Sequence, residues 1–252
     1  MVTGGFRQCS IRAAPRPRRF ASMRRVHRPP SNAVYDAQTV AVMERWLLPH
    51  SNCIDVGCHE GSVLREILRV APQGTHYAFE PLPAYARLLR EAFGGNPHVV
   101  ISDLALSDAP GESTFQHVVT NPSYSGLRRR RYDRPDERVE EIHVRTERLD
   151  AVLPRELPIA LIKIDVEGAE LQVLRGARET LQRWKPFVVF EHGLGAADHY
   201  GTLPEAVAEL FASVGLRVST MERWLAGEGP LDHDTFSDHF RNGWDYYFLA
   251  HP

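Results

Sequence analysis

A chain of 252 residues and 28.5 kDa fits one α/β domain with tails and is too short for two enzyme domains with separate cores. Hydrophobic residues make up 43%, charged residues 25%, and the formal net charge is -2, values that exclude a globally disordered, collagen-like or disulfide-scaffold protein. Cys9, Cys53 and Cys58 form no Cys-x-x-Cys pair and no run of eighteen apolar residues occurs, so the expectation is a cytoplasmic, reducing setting with no zinc site, no disulfide framework and no spanning helix.

The charge is uneven. Met1 to Pro30 hold eight arginines and no acid, which leaves -10 for the remainder by difference from -2. Residues 1–34 are therefore expected to be a basic, disordered arm, with a transit peptide or a polyanion-binding tail as the other readings, ahead of a domain spanning 35–252. Of 30 basic residues only Lys163 and Lys185 are lysine.

From Asp36, Val40, Val42, Met43, Trp46 and Leu47 recur with helical period and stop before Pro49, predicting a helix. Cys53–Val56 reads as a buried strand, Ser62–Val70 as a helix, His76–Phe79 as a strand, Ala84–Phe93 as a helix and His98–Ile101 as a strand. Strand and helix in alternation with short Gly/Pro connections predict a parallel sheet wound by right-handed crossovers. Ser102 to Arg148 breaks the rhythm with turn signals, two short β-rich pieces (Thr114–Val119 and Ile142–Val144) and an Arg-laden stretch, and is expected to be an insertion in the same domain. The alternation resumes with strand Leu161–Val166, helix Ala169–Leu181, strand Phe187–Glu191, helix Leu203–Val214, strand Leu216–Thr220 and strand Tyr246–Ala250. The fold class expected is α/β, a doubly wound, mostly parallel sheet of about seven strands with a β-rich insertion.

Chemistry concentrates where strands end. Asp55-Val56-Gly57-Cys58-His59-Glu60-Gly61 joins the first strand to its helix, where residues without Cβ admit a ligand and a helix N-terminus offers free N–H groups. A G-x-G-x-x-G fingerprint needs glycine where His59 and Ser62 stand. Asp55 suits a ligand ammonium and would repel a pyrophosphate. Glu80, closing the second strand 23 residues after Gly57, is placed to accept both hydroxyls of a ribose. Lys163 and Asp165 interrupt an apolar strand two residues apart, hence on one face, and need partners or a purpose there; a structural ion pair, with Asp165 capping the next helix, is the plainer alternative. His192, after Glu191, is a candidate general base near neutrality. Asp165, Glu167, Glu191 and His192 together also offer ligands to a hard cation such as Mg2+, although metal-free chemistry is favoured. Arg128 to Arg131 suit an anionic or sugar-phosphate substrate, but a solvated loop balanced by Asp133, Asp136 and Glu137 is the expected state. The acidic body and the lack of a groove-reading motif disfavour nucleic acid.

Three segments together, Ile54-Asp55-Val56-Gly57 with Gly61, Ala105-Leu106-Ser107-Asp108 with Gly111, and Lys163-Ile164-Asp165-Val166-Glu167-Gly168-Ala169-Glu170 with Gly176 and Glu191, resemble the FkbM-type methyltransferases that use S-adenosylmethionine. The resemblance covers Tyr35 to Pro252. It implies the seven-stranded methyltransferase fold with an antiparallel last strand, and O-methylation of acceptors such as sugars and polyketides. It further implies that Asp55 to Gly61, including Gly57 and His59, hold the methionine portion, Glu80 the ribose, and Asp103 with Leu104 the adenine. The expected catalytic residues are Lys163, Asp165 and His192, acting on a small-molecule or glycan acceptor without nucleic acid or membrane. A nicotinamide-dependent oxidoreductase and a non-catalytic S-adenosylmethionine-binding protein are the alternatives.

Overall fold

The computed structural model describes residues 28–252, so the expectation of a disordered arm falls almost wholly outside the described residues. The first helix, α1 (Asn32–Trp46), starts at Asn32 rather than at Asp36, so the helical domain begins inside the predicted arm. Strands β1 (Asn52–Val56), β2 (His76–Phe79) and β3 (Val99–Ser102) alternate with helices α2 (Ser62–Val70) and α3 (Pro83–Phe93). The insertion supplies β4 (Ala105–Leu106), β5 (Gly111–Val118) and β6 (Val139–Glu147). Then follow α4 (Leu149–Val152), β7 (Ile159–Ile164), α5 (Glu170–Gly176), α6 (Arg178–Trp184), β8 (Phe187–Glu191), α7 (Pro204–Ser213), β9 (Arg217–Ser219), α8 (Met221–Leu225), α9 (His233–Asn242) and β10 (Tyr247–His251).

Seven strands form one sheet in the order β3-β2-β1-β7-β8-β10-β9. All pairings are parallel except those of β10, which runs antiparallel to β8 and β9. The chain winds outward from β1 to β3 and then returns to β7 on the other side of β1, a reversal that opens a crevice at the carboxyl ends of these strands. The central strands are apolar on both faces because helices cover both. Ile54, Val56, Ile162, Ile164, Val188 and Phe190 pack on one face with α5, α6 and α7, and Cys53, Leu161 and Val189 pack on the other with α1 and α8.

That alternation also sorts the polar residues. Asp55, Lys163, Asp165 and Glu191 share parity with Cys53, Leu161 and Val189, and so belong to the α1 face. The register pairs Asp55 with Lys163 and Glu191 with Tyr247.

The predicted helix Ala169–Leu181 is two helices broken at Ala177. The carbonyl oxygen of Ser107 would stand 2.0 Å from a Cβ on Gly176, so only glycine lets β4 lie this close to the end of α5. Helix α9 was not foreseen in the stretch between the last two strands. Its local signals are Asp232, whose side chain accepts from Thr235 N at 2.7 Å, and Gly243 at φ 61 after its last turn; its buried face is Phe236 and Phe240. The insertion is a second sheet, β4-β6-β5, with longer strands than the sequence suggested. Phe115 and Val144 from it pack with Leu82 and Ala105, fastening it over the crevice beside the start of α3. Among the described residues no helix is long and apolar enough to cross a membrane.

Candidate active site

A cavity of about 660 Å³ lies at the carboxyl ends of β1, β2, β7 and β8, walled by α1 on one side and the insertion on the other. Gly57 turns the chain away from β1 at φ 77, and a Cβ there would stand 1.9 Å from the Asp165 carbonyl oxygen. The loop after β1 and the loop after β7 are thus in backbone contact, which only glycine permits. His59 follows, also left-handed at φ 48, its ring stacked on Tyr85 at 4.2 Å between centroids. Burial lowers the pKa of His59, which is neutral where it lines the cavity.

Glu80 is buried and lines the cavity. One oxygen accepts from His59 N and the other from Leu82 N, each at 2.9 Å. Burial raises its pKa and these two donors oppose the rise. Each oxygen keeps a lone pair for a further donor. Leu104 lines the same region, and Ser62 and Val63 bring the first turn of α2 to it, where helical N–H groups lack intrahelical partners.

Lys163 is 6% exposed. Its Nζ donates to the Gly57 carbonyl at 3.1 Å and lies 3.3 Å from Asp165 and 3.8 Å from Asp55. Burial works against its charge, but Asp165 and Asp55 more than offset that and hold it above the ordinary lysine range. Asp165 is at the centre of the group. It accepts from the Tyr247 hydroxyl and contacts the carboxyl of Glu191. Burial would raise its pKa, while Lys163 and Tyr247 bring it below the ordinary value. Glu191 is the counterpart, raised well above the carboxylate range by burial and by Asp165 and Glu170. Glu170 does not face the cavity; its carboxyl accepts from Val166 N and Gly168 N and shapes the turn after β7, while α5 has no side-chain cap, from Asp165 or any other residue.

The insertion loop is largely solvated, as expected, with Arg128, Arg129, Arg131, Asp133 and Asp136 exposed, but Arg130 turns inward. Arg130 pairs with Glu167 and lies over Tyr124 at 4.7 Å, Arg128 lies over the Tyr200 ring at 5.3 Å, and Arg129 lies over Tyr132 at 5.6 Å. Arg130 and Arg131 line the cavity. On the opposite wall Tyr35 of α1 donates to Asp245 at 2.8 Å, and Asp245 is 2.8 Å from His239 of α9.

Four expected site residues stand elsewhere. Asp55 lies beneath the loop, fully buried against Lys163, and does not reach the cavity surface. Gly61 heads α2 and packs against Leu89 and Phe93 rather than lining the cavity. Asp103 is half exposed outside it, 3.2 Å from both Arg90 and Arg145. His192 is the largest correction. One residue past Glu191 on an alternating strand, it faces the other side of the sheet, stacked on Phe240 at 4.6 Å and Phe236 at 5.9 Å, with neither ring nitrogen hydrogen-bonded. Burial pushes its pKa down to about 4, so it is no base for the cavity. With a folded pKa below the unfolded value of 6.5, its neutral form contributes stability that is present above pH 6.5 and lost as the pH falls toward 4. His192→Leu should flatten that loss, add about 1 kcal/mol at pH 7 by removing unpaired buried nitrogens, and leave turnover per folded molecule unchanged; urea titrations at several pH values check this.

Sequence reasoning missed Tyr35, Asp36, Asp245 and Tyr247, all on the cavity wall. The single available signal was a pair of tyrosines at the head of the last strand, and only the antiparallel register places Tyr247 beside Glu191.

A sheet in this order, with its last strand reversed and a glycine turn and acidic strand end at the switch point, defines a class I, Rossmann-like S-adenosylmethionine-dependent methyltransferase. Residues 55–218 match the methyltransferase FkbM domain, more than half of the chain, and the chain belongs to that family. It is 29% identical over 221 residues to the 2-O-methyltransferase NoeI of Sinorhizobium fredii, covering 81% of this chain and 86% of NoeI. It is 33% identical over 165 residues to the AMB antimetabolite synthetase AmbE of Pseudomonas aeruginosa, covering 52% of this chain and 8% of AmbE. The crystal structure of methyltransferase FkbM from Methylobacillus flagellatus superposes with a TM-score of 0.51 at 12% identity over 81% of this chain; the chain spans 44% of the length of that structure. Neither the oxidoreductase nor the non-catalytic alternative gains support from these relationships.

Proposed function

We propose that the protein methylates a hydroxyl oxygen on a small-molecule or glycan acceptor, of sugar or polyketide type, with Asp165 as the proton acceptor and Lys163 holding the charge of the reacting centre. The observation that carries this reading is a carboxylate, Asp165, paired with Lys163 and hydrogen-bonded by Tyr247 on the cavity wall against the Gly57 loop. The similarity to a 2-O-methyltransferase supports oxygen as the acceptor atom.

The residues present fit S-adenosylmethionine. The cavity has room for it beside an acceptor, Glu80 has one free lone pair on each oxygen for ribose hydroxyls, and the first turn of α2 presents N–H groups. When bound, this cofactor supplies an electrophilic methyl on a sulfonium. Gly57 and His59 would then border its methionine portion and Leu104 its adenine. The chain's own residues contribute orientation and charge. Asp165 accepts the acceptor's hydroxyl proton as the carbon–oxygen bond forms, and Lys163 keeps Asp165 ionised until then. The insertion and α1 close the crevice from two sides and limit water.

Glu80→Ala should weaken S-adenosylhomocysteine by about 1–3 kcal/mol through lost hydrogen bonds to a charged group. Calorimetry that detects NAD instead, with no S-adenosylhomocysteine binding, would overturn the cofactor assignment. For the acceptor, methyl-labelled donor with a panel of saccharides and polyketide alcohols should give an alkali-stable methyl ether; label found only on amines or carboxylates would refute O-methylation.

A further inference from the structure

The consecutive arginines of the insertion, Arg128 to Arg131, have no assigned part in the transfer, and the acids of their own loop do not neutralise them. Asp133 accepts from the Tyr124 hydroxyl and Glu137 from the Thr120 hydroxyl. Arg130 is paired, but with Glu167 outside the loop. Arg128 and Arg129 are seated on the rings of Tyr200 and Tyr132, and among the described residues neither forms an ion pair. Arg131 is the unpaired one that lines the cavity. Its main-chain N–H donates to the Gly195 carbonyl at 3.0 Å, which ties the insertion to the loop after β8. Its guanidinium lies against the same glycine: a Cβ on Gly195 would stand 3.1 Å from Nη2, 3.2 Å from Nε and 3.3 Å from Cζ. Gly195, left-handed at φ 96, thus leaves room for the guanidinium where it stands. Among the described residues that guanidinium makes no hydrogen bond and no ion pair.

We infer that Arg131 holds an oxyanion of the acceptor, a carboxylate, sulfate or phosphate group remote from the atom that is methylated. The inference rests on the acceptor reading above and adds to it the acceptor's charge and the residue that recognises it. A guanidinium presents N–H donors in a planar fork that matches two oxygens of such a group, and hydrogen bonds between two charged groups are the strong ones.

The orientation follows from the charges of the two walls. Lys163 and Arg130, the other basic side chains on the cavity, are each taken by an acid. Arg131 on the insertion wall is not, and Asp36 on the α1 wall is likewise without an ion pair among the described residues. Arg128 and Arg129, held on their tyrosines, add positive potential that steers an anion toward this loop. Asp36 and Asp165 repel the same anion from the reacting centre. A molecule with an oxyanion at one end and a hydroxyl at the other therefore enters with its charge at Arg131 and its hydroxyl toward Asp165. A neutral alcohol of the same shape gains no such orientation and leaves Arg131 to water.

Calorimetry on the protein saturated with S-adenosylhomocysteine tests this without any transfer. The probes are glucose against glucuronate, glucose sulfate and glucose phosphate, and a long-chain hydroxy acid against its methyl ester. In at least one set the oxyanion should bind about tenfold tighter than its neutral counterpart, and the group that gains most names the oxyanion. Arg131→Gln should remove that advantage while keeping the parental melting temperature and S-adenosylhomocysteine affinity, because the main chain and not the side chain ties the loop to Gly195. Arg134→Gln, an exposed arginine of the same loop away from the cavity, should keep the advantage. For any probe that is methylated, Arg131→Gln should raise KM about tenfold and leave kcat near the parental value. Charged and neutral probes that bind alike or not at all, an advantage that survives in Arg131→Gln, or one lost equally in Arg134→Gln would each overturn the inference. Oxyanion binding through Arg131 with label found only on nitrogen would refute O-methylation and leave this inference standing.

Discussion

Gly57→Ala should cost about 3 kcal/mol or more in stability, or else displace the loop and reduce S-adenosylhomocysteine affinity by at least two orders of magnitude. Two costs combine. A left-handed φ of 77 disfavours any residue with a Cβ by about 1–3 kcal/mol. The added atom would also stand 1.9 Å from the Asp165 carbonyl oxygen and 3.0 Å from its carbon, and backbone of a central strand end cannot step aside as a flexible side chain does. Relief would require β1 and β7 to separate at their carboxyl ends, where Lys163 Nζ also bridges to the Gly57 carbonyl. Urea denaturation and calorimetry on the same preparation distinguish the two forms of loss. A variant with parental stability and parental affinity would mean that the two loops do not touch as described.

Asp165→Asn should retain the fold and lose about 10²–10⁴ in turnover. The substitution keeps the size of the side chain and an oxygen for the Tyr247 hydroxyl and Lys163, while Asp55, 3.8 Å from Lys163, still balances the buried ammonium. What is removed is the charge that takes the proton. Because Lys163 and Tyr247 hold Asp165 below the usual carboxylate range, the wild-type rate should stay flat through neutral pH and fall only on the acid side, as Asp165 protonates. Single-turnover assays across pH check both statements. Parental turnover in Asp165→Asn, measured per folded molecule, would remove Asp165 from the mechanism and leave positioning alone to carry the reaction.

Much of this arrangement was legible in the linear chain. The apolar runs at β1, β7 and β8 had to be buried strands, because each is short, rich in Val, Ile, Leu or Phe, and closed by charged or glycine residues. Lys163 and Asp165, two apart in such a run, had to share a face, and that parity places them together in the structure. The carboxylate at the end of β2, Glu80, was also readable as a cavity residue, since its position depends on the local strand and turn alone. Residue-type bias helped as well: a chain that uses arginine at all but two of its basic positions put one of its two lysines where a compact ammonium must fit among Gly57, Asp55 and Asp165.

Tertiary structure decided the rest, for one recurring reason. Alternation along a strand is visible in sequence, but which face becomes the cavity wall depends on which helices cover each side, and that is settled by contacts between residues far apart in the chain. His192 and Glu191 are neighbours in sequence and lie on opposite faces, one among the phenylalanines of α9 and the other beside Asp165. Tyr247 reaches Asp165 only because β10 runs antiparallel in a register that pairs it with Glu191, and Tyr35 reaches the same wall from the opposite end of the chain. The sequence by itself determined the class of fold and the strand ends at which chemistry gathers; only the folded chain decided which carboxyl is ionised, because burial and the distance to Lys163 are properties of the packed structure.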